Sequence, residues 1–280
     1  MVNESATIIE RRIVLPKWLD SFIYDELSAC YCRQNKDMVV LEWNKDEIKK
    51  YLGTYFPRSY AESFCIFSNF LSKESRVYKS CQELSIFDFG CGTGGELIGF
   101  IMAVVKHLPN IKKIVIRALD GNTYALRDLE CILEKTSQVL HLDIESYLIP
   151  FIIDDFYDMK MVDNIITQSY DFIISFKAIC EFVTKQQFEQ QNPYEHIINL
   201  FMPKLSSKDV ICLADITSFN AVSQDWLPIM LDNAAKTCNV DILYRNIGFN
   251  EDYHISHRCY TNDISKIAWR IYKKQKMIHI

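Results

Sequence analysis

The sequence predicts an α/β protein: a doubly wound, mostly parallel seven-stranded sheet with helices on both faces, preceded by a helical N-terminal cap. Three observations predict it. From Leu84 onward, short apolar runs alternate with amphipathic stretches, the texture of strand–helix–strand units. A glycine-rich turn, "DFGCGTGG", follows the first of those runs. Residues 1–83 show helical spacing instead, so the cap is expected to span 1–83 and the layered domain 84–280.

The bulk numbers suit this class. The chain has 280 residues, 49% of them hydrophobic and 24% charged, which allows a large core in an ordinary globular protein. A formal net charge of −5 supplies no global positive field for nucleic acid, so nucleic acid is not the favoured partner. The 10 cysteines include no CxxC pair and lie in apolar stretches (Cys65, Cys131, Cys180, Cys212), where free cysteine behaves as a small hydrophobe. Reduced thiols and a cytoplasmic location are expected. "MVNESATIIERR" lacks the apolar core of a signal peptide, and no apolar run has the length to cross a bilayer.

The elements follow in order. "LPKWLDSFIYDELSACYC" places Trp18, Phe22, Leu27 and Tyr31 at helical spacing, with Pro16 near the start. "NKDEIKKYLGTYF" opens with Asn44 as N-cap and acids in the first turn. Pro57 is expected to interrupt that helix, and "RSYAESFCIFSNFLS" to resume it. "LSIFDF" reads as a buried strand, "GELIGFIMAVVKHL" as a helix ending before Pro109, and "KKIVIRAL" as a second strand. The helix "NTYALRDLECILEK" puts Ala125, Leu126, Leu129, Ile132 and Leu133 on one face. "YLIPFIID" is expected as the third strand despite its proline. "YDFIISF" and "DVICLADI" are strands flanking the helix "PYEHIINLFMPKL", and "VDILYRNI" and "SKIAWRIYKK" close the chain as two more. Parallel sheets of this kind bind ligands beyond the carboxyl ends of their strands.

The glycine turn therefore marks the candidate site. Glycine permits positive φ and removes the Cβ that would hold a ligand off; the helix behind it presents unpaired N–H groups to the same spot. A phosphate-binding P-loop needs Lys-Ser/Thr after the glycines, where this chain has Glu96. A nicotinamide fingerprint needs G-x-G-x-x-G. An acid as near as Asp88 would repel a pyrophosphate and suits a ligand carrying an amine.

"DFGCGTGG" resembles the first motif of class I S-adenosylmethionine-dependent methyltransferases, loosely D/E-x-G-x-G-x-G, and the order of elements from Leu84 to the C-terminus is similar to theirs. The resemblance implies S-adenosyl-L-methionine as cofactor and transfer of its methyl group. It places Asp88, Gly90, Cys91, Gly92, Thr93 and Gly94 along the methionine part. Asp120, followed by Gly121 and Asn122, would hold the ribose hydroxyls; a carboxylate accepts two such bonds at once. Asp154 or Asp155, with Phe156, would meet the adenine, and Ser175, Phe176 and Lys177 would lie beside the transferable methyl. Arg58 in "YFPRSYAESF" would pair the cofactor carboxylate, with Tyr55 or Tyr60 packed on it. The same Arg-Ser-Tyr phrase resembles one in small-ribosomal-subunit methyltransferase-like proteins, although the cysteine metal ligands expected near their C-terminus have no counterpart here.

Glu181 is the candidate base, a carboxylate in an apolar stretch after the fourth strand; Lys177 would orient an anionic acceptor. "SFKA" lacks the Asn/Asp-Pro-Pro-aromatic signature of base amino-methylation, and Cys180 in "AICEF" reads as the buried side of a helix. His254, His257 and Cys259 match no zinc spacing, and no metal is expected. The acceptor is unspecified, a small molecule or protein being favoured over RNA, and no motif sets an oligomeric state. The alternative reading is a non-catalytic cofactor-binding assembly or scaffold protein, for which the Arg-Ser-Tyr likeness implies association with the ribosome.

Overall fold

The computed structural model describes residues 12–32, 43–216, 219–222 and 224–275; the stretch read for a signal peptide lies almost wholly outside them. Along the chain come β1 (Arg12–Val14), α1 (Lys17–Ser21), α2 (Lys45–Glu74), β2 (Glu83–Phe89), α3 (Gly95–His107), β3 (Lys113–Asp120), α4 (Thr123–Leu140) and β4 (Asp143–Pro150). Then follow α5 (Lys160–Ile165), β5 (Tyr170–Phe176), α6 (Ile179–Phe182), α7 (Lys185–Gln190), α8 (Pro193–Phe201) and β6 (Leu205–Asp215). A small hairpin of β7 (Phe219–Asn220) and β8 (Asp225–Trp226) leads to α9 (Leu227–Thr237), β9 (Val240–Arg245), β10 (Glu251–His257) and β11 (Tyr260–Lys274).

The strands β2 to β6 pair in parallel, in the order β4-β3-β2-β5-β6, and β11 continues the sheet antiparallel beside β6 while also pairing β9. These are the seven strands the sequence predicts. Two more complete a nine-stranded sheet: β10 pairs the first half of β11, and β1 pairs β10. Every antiparallel pair in this sheet involves β11.

The period-2 alternation of strand side chains sorts the core into two layers. Leu84, Ile86, Ile114, Ile116, Phe172 and Ile174 bury against residues of α2, α3 and α4, such as Phe67, Leu97 and Leu129. Phe87, Phe89, Ile173, Ile211 and Leu213 bury on the other face against Val162, Ile197, Phe201 and Leu231 of α5, α8 and α9. Residues from 15 to 71 belong to the same cluster as the first layer.

Four sequence expectations are corrected. The third strand is Asp143–Pro150, earlier than "YLIPFIID", because its register follows β3 from Lys113↔Asp143 to Asp120↔Pro150. Its proline sits at the end of an edge strand, where no ladder donor is required. The single helix read through Tyr31 is a short α1 and a π-helical turn, Phe22–Glu26, ending at Ser28 with φ of 58°. The N-terminal region also contributes a strand, β1.

The fourth concerns Pro57, which lies buried inside a continuous 30-residue helix. Asn44 opens that helix with a capping box: it accepts from the Asp46 and Glu47 amides, while Glu47 accepts from its own N–H. A proline at 57 removes the amide that would bond the Gly53 carbonyl. The Tyr24 hydroxyl replaces it, donating to Gly53 O at 2.6 Å. A Cβ on Gly53 would collide with the Cys30 backbone, and Thr54 bonds both backbone groups of Cys32. The segment ahead of the helix thus repairs the break from outside.

Candidate functional site

The strand order reverses between β2 and β5, and a cleft opens there beyond their carboxyl ends. It is lined by Tyr51, Gly90, Gly92, Asp120, Gly121, Phe176, Lys177, Ala178, Glu181 and Phe182. Gly90 and Gly92 adopt φ of 75° and 47°, a region that excludes most side chains. A Cβ on Gly90 would strike Ala178, and one on Gly92 would stand 3.0 Å from the Tyr51 hydroxyl. Gly94 shares the positive φ, at 76°, and also has Leu129 of α4 where a Cβ would be, whereas Gly95 and Gly99 admit the Phe56 and Tyr60 carbonyls of α2. The glycine-rich stretch therefore serves the cleft at its start and helix packing at its end.

Asp120 fixes the turn. Its carboxylate accepts from the Gly92 amide at 2.8 Å and, through the other oxygen, from the Asn122 amide at 2.8 Å. Each oxygen retains a lone pair. Asn122 caps α4 through Tyr124 and Ala125 and donates to the Trp43 carbonyl at 3.1 Å. Cys91 and Thr93 are buried behind the turn.

Asp120 and Glu181 line the cleft, and two further acids, Asp88 and Glu96, are buried outside its lining. Asp88 is fully buried with neither carboxylate oxygen hydrogen-bonded. Burial, then Glu96 and Asp120, push it well above the usual carboxylate range. Glu96, in the first turn of α3, is pushed up to about 8 mainly by burial, with Glu62 and Asp120 adding and Lys177 opposing. Glu181 is also pushed up to about 8, by desolvation first and then by Asp120 and Asp215, with Lys177 pulling it down. Its side chain stays accessible from the cleft mouth, so it rehydrates more easily than Glu96. Asp215 braces the turn that carries it, accepting from the Cys180 amide at 3.0 Å and the Tyr194 hydroxyl at 2.9 Å.

The residue types fit a cationic, hydroxyl-bearing group such as S-adenosylmethionine: a bare turn and a carboxylate with lone pairs to spare. The volume is the obstacle. The cavity measures about 50 Å³, against several hundred for ligand pockets. Tyr51 accounts for this, lying over Gly92 with Trp43 on its edge (5.4 Å) and Tyr55 stacked at 5.1 Å. Admission of a nucleoside-sized ligand requires the Tyr51 ring to leave its place over Gly92.

Other expected site residues sit elsewhere. Arg58 is held by Asp263 through two bonds of 2.9 Å, so its guanidinium is committed to β11. Tyr60 is buried against Phe64, 5.9 Å ring to ring, outside the cleft lining. Asp154 and Asp155 are exposed and do not line the cleft; Asp155 accepts from the Tyr157 amide. Phe156 is a core residue beside His196. Ser175 spends its hydroxyl on the Phe89 carbonyl at 2.9 Å. Lys177 borders the cleft at φ of 57°, but its ammonium pairs the buried Glu62 at 2.9 Å, which removes it as a free anion-binding group. His257 contacts the Tyr24 hydroxyl at 2.9 Å, and no metal-holding group of three His, Cys, Asp or Glu occurs among the described residues.

Sequence reasoning missed Tyr51, Glu62, Glu96 and Phe182. The signal for the two acids was present: each interrupts an otherwise apolar helical face, "YAESF" and "GELIGF", and such an acid is buried with a purpose.

No protein-family model matches the chain, and no curated protein sequence does. Solved structures similar to it include a protein from Pyrococcus horikoshii described as an RNA methyltransferase, 11% identical, covering 93% of this chain and 98% of that one, TM-score 0.45. An S-adenosyl-L-methionine-dependent methyltransferase from Methanococcus maripaludis is 12% identical over 89% and 100%, TM-score 0.45. TrmK of M. capricolum, solved with S-adenosyl-homocysteine, is 14% identical over 74% and 68%, TM-score 0.39.

Proposed function

We propose that this chain binds S-adenosylmethionine in the cleft at the glycine turn and transfers its methyl group to a nucleophilic acceptor. One observation carries the reading: the bare Gly92 turn and Asp120 are hydrogen-bonded neighbours that line a cleft together, at the point where the strand order reverses. The cofactor supplies an electrophilic methyl on a sulfonium. The backbone at Gly90 to Gly92 borders its methionine part, and Asp120 takes the ribose hydroxyls. Phe176 and Phe182 form apolar wall. Glu181, a carboxyl near neutrality at the cleft mouth, accepts the acceptor's proton.

The acidity of the mouth and the net charge of −5 favour a small molecule or protein over a polyanion as acceptor, in the cytoplasm. The test is calorimetry with S-adenosylmethionine followed by labelled-methyl transfer into fractionated extract. Saturable binding and label in a metabolite or protein fraction are expected; absence of cofactor binding by the folded chain removes the reading.

The tight cleft favours one second reading, a cofactor-binding scaffold in which Tyr51 keeps acceptors out. Binding without transfer to any fraction would select it.

A further inference from the structure

A second cavity lies on the opposite side of the first turns of α2. It measures about 340 Å³ and opens between α2, α4 and the segment at 26–28. Lys45 and Lys49 of α2 and Arg127 of α4 converge on it, with Tyr124, Asp128 and Glu26. The hydrophobic contact of Ile48 with Ala125, joined by Trp43 and Tyr51, separates it from the glycine cleft.

The charge arrangement is costly for the chain alone. Lys45 and Lys49 are four apart on one helix face, a like-charge pair, and Lys45 occupies the first helical position, where the macrodipole disfavours a cation. Among the described residues no carboxylate stands within salt-bridge distance of Lys45, Lys49 or Arg127. Glu26 is engaged by Lys135 at 3.2 Å. Asp128 is pushed up to about 6 by desolvation, against the pull of both lysines. Arg127 lies over the half-exposed Tyr124 ring, 5.7 Å from its centre.

An anion in the cavity offsets all three cations and the misplaced charge at the helix start. The size is that of a metabolite, at the low end for ligand pockets, and too small for a polymer backbone to thread. Tyr124 offers a ring face and Asp128 an acceptor for hydroxyls, so the body attached to the anion is a sugar or similar polyol.

We infer that the cavity between α2 and α4 binds a small phosphate monoester, its phosphate held by Lys45, Lys49 and Arg127. This goes beyond the methyl-transfer reading and stands without it. A ligand there ties the start of α2 to α4 and so holds Tyr51 down on the glycine turn.

The experiment is calorimetry of the full chain with ribose 5-phosphate and, separately, inorganic phosphate. Ribose 5-phosphate is expected to bind saturably and to weaken with added salt. Lys49→Ala combined with Arg127→Ala should cost at least about tenfold in Kd, and Lys266→Ala, which removes an exposed lysine of β11 outside the cavity lining, should leave it unchanged. Arg127→Lys should recover part of the loss. Tighter binding of inorganic phosphate than of the ester would discard the sugar body and overturn the assignment to an ester. Absence of saturable binding by either probe, equal Kd for wild type and the double variant with matching thermal melts, or an equal loss in Lys266→Ala each overturns the site itself.

Discussion

The two cavities flanking the first turns of α2 differ in every property that matters. One is lined by Asp120 and Glu181, about 50 Å³, and roofed by Tyr51; the other is rimmed by three cations, about 340 Å³, and open. A single helical stretch makes both. Lys45 and Lys49 project to one side, and Tyr51 and Tyr55, again four apart, to the other. The larger space is not the one with the glycine turn, so volume is a poor guide to chemistry here. The proposed function is placed in the smaller because it lies at the strand reversal and carries the glycine turn.

The largest expected effect would break this contrast at its base. Asp120→Ala removes the acceptor for the Gly92 and Asn122 amides and should weaken S-adenosylmethionine binding by about a hundredfold, measured by calorimetry; an unchanged Kd would remove Asp120 from the site. Next is Tyr24→Phe, which leaves the Gly53 carbonyl beside Pro57 without its donor. A loss of about 1–3 kcal/mol in urea unfolding is expected, and no loss would mean that water serves as well. Tyr51→Ala should sharpen the contrast by opening the roof, with cofactor association several-fold faster in stopped flow; an unchanged rate would show that Tyr51 does not gate the cleft.

The smallest effect is in pH. Glu96 and Glu181 hold their protons up to about 8 in the folded chain, against an ordinary 4.5. The stability this lends the ligand-free protein is complete below 4.5 and is lost as pH rises through about 8. A cationic ligand reverses the balance by favouring the ionised acids. Binding should therefore tighten a few-fold from about pH 7 to about pH 9, with proton release visible as a dependence of binding heat on buffer. Glu181→Gln should halve that release, while a flat pH profile would remove the acids from the binding process.

Most of the layered architecture was legible because it rests on local pattern. The apolar parity of β2, β3 and β5, the Asn44 capping box and the glycine turn are written within a few residues of one another. The losses have a common physical origin in distance along the chain. Arg58 looked available until Asp263, 205 residues away, claimed it. Pro57 looked like a helix end because its remedy is a hydroxyl at Tyr24, 29 residues before the carbonyl it serves. Asp154 and Asp155 carried the right chemistry, but β4 ended earlier than read and left them on an exposed loop. Lys177 was recognised as a rim residue; its partner Glu62 was hidden in a helix whose face could not be assigned without knowing that it crosses α3.

The pairing of β1 with β10 has a consequence for how the molecule is made. Arg12, Ile13 and Val14 meet His254, Ile255 and Ser256, so the earliest described strand finds its seat only after residue 256 has been made. Contacts of such separation close late. Until then the hydroxyl that mends the Pro57 break has no fixed anchor, and a nascent or C-terminally shortened chain would carry an unsettled α2. The β10–β11 hairpin thus helps to seat α2, through the contact of His257 with the Tyr24 hydroxyl.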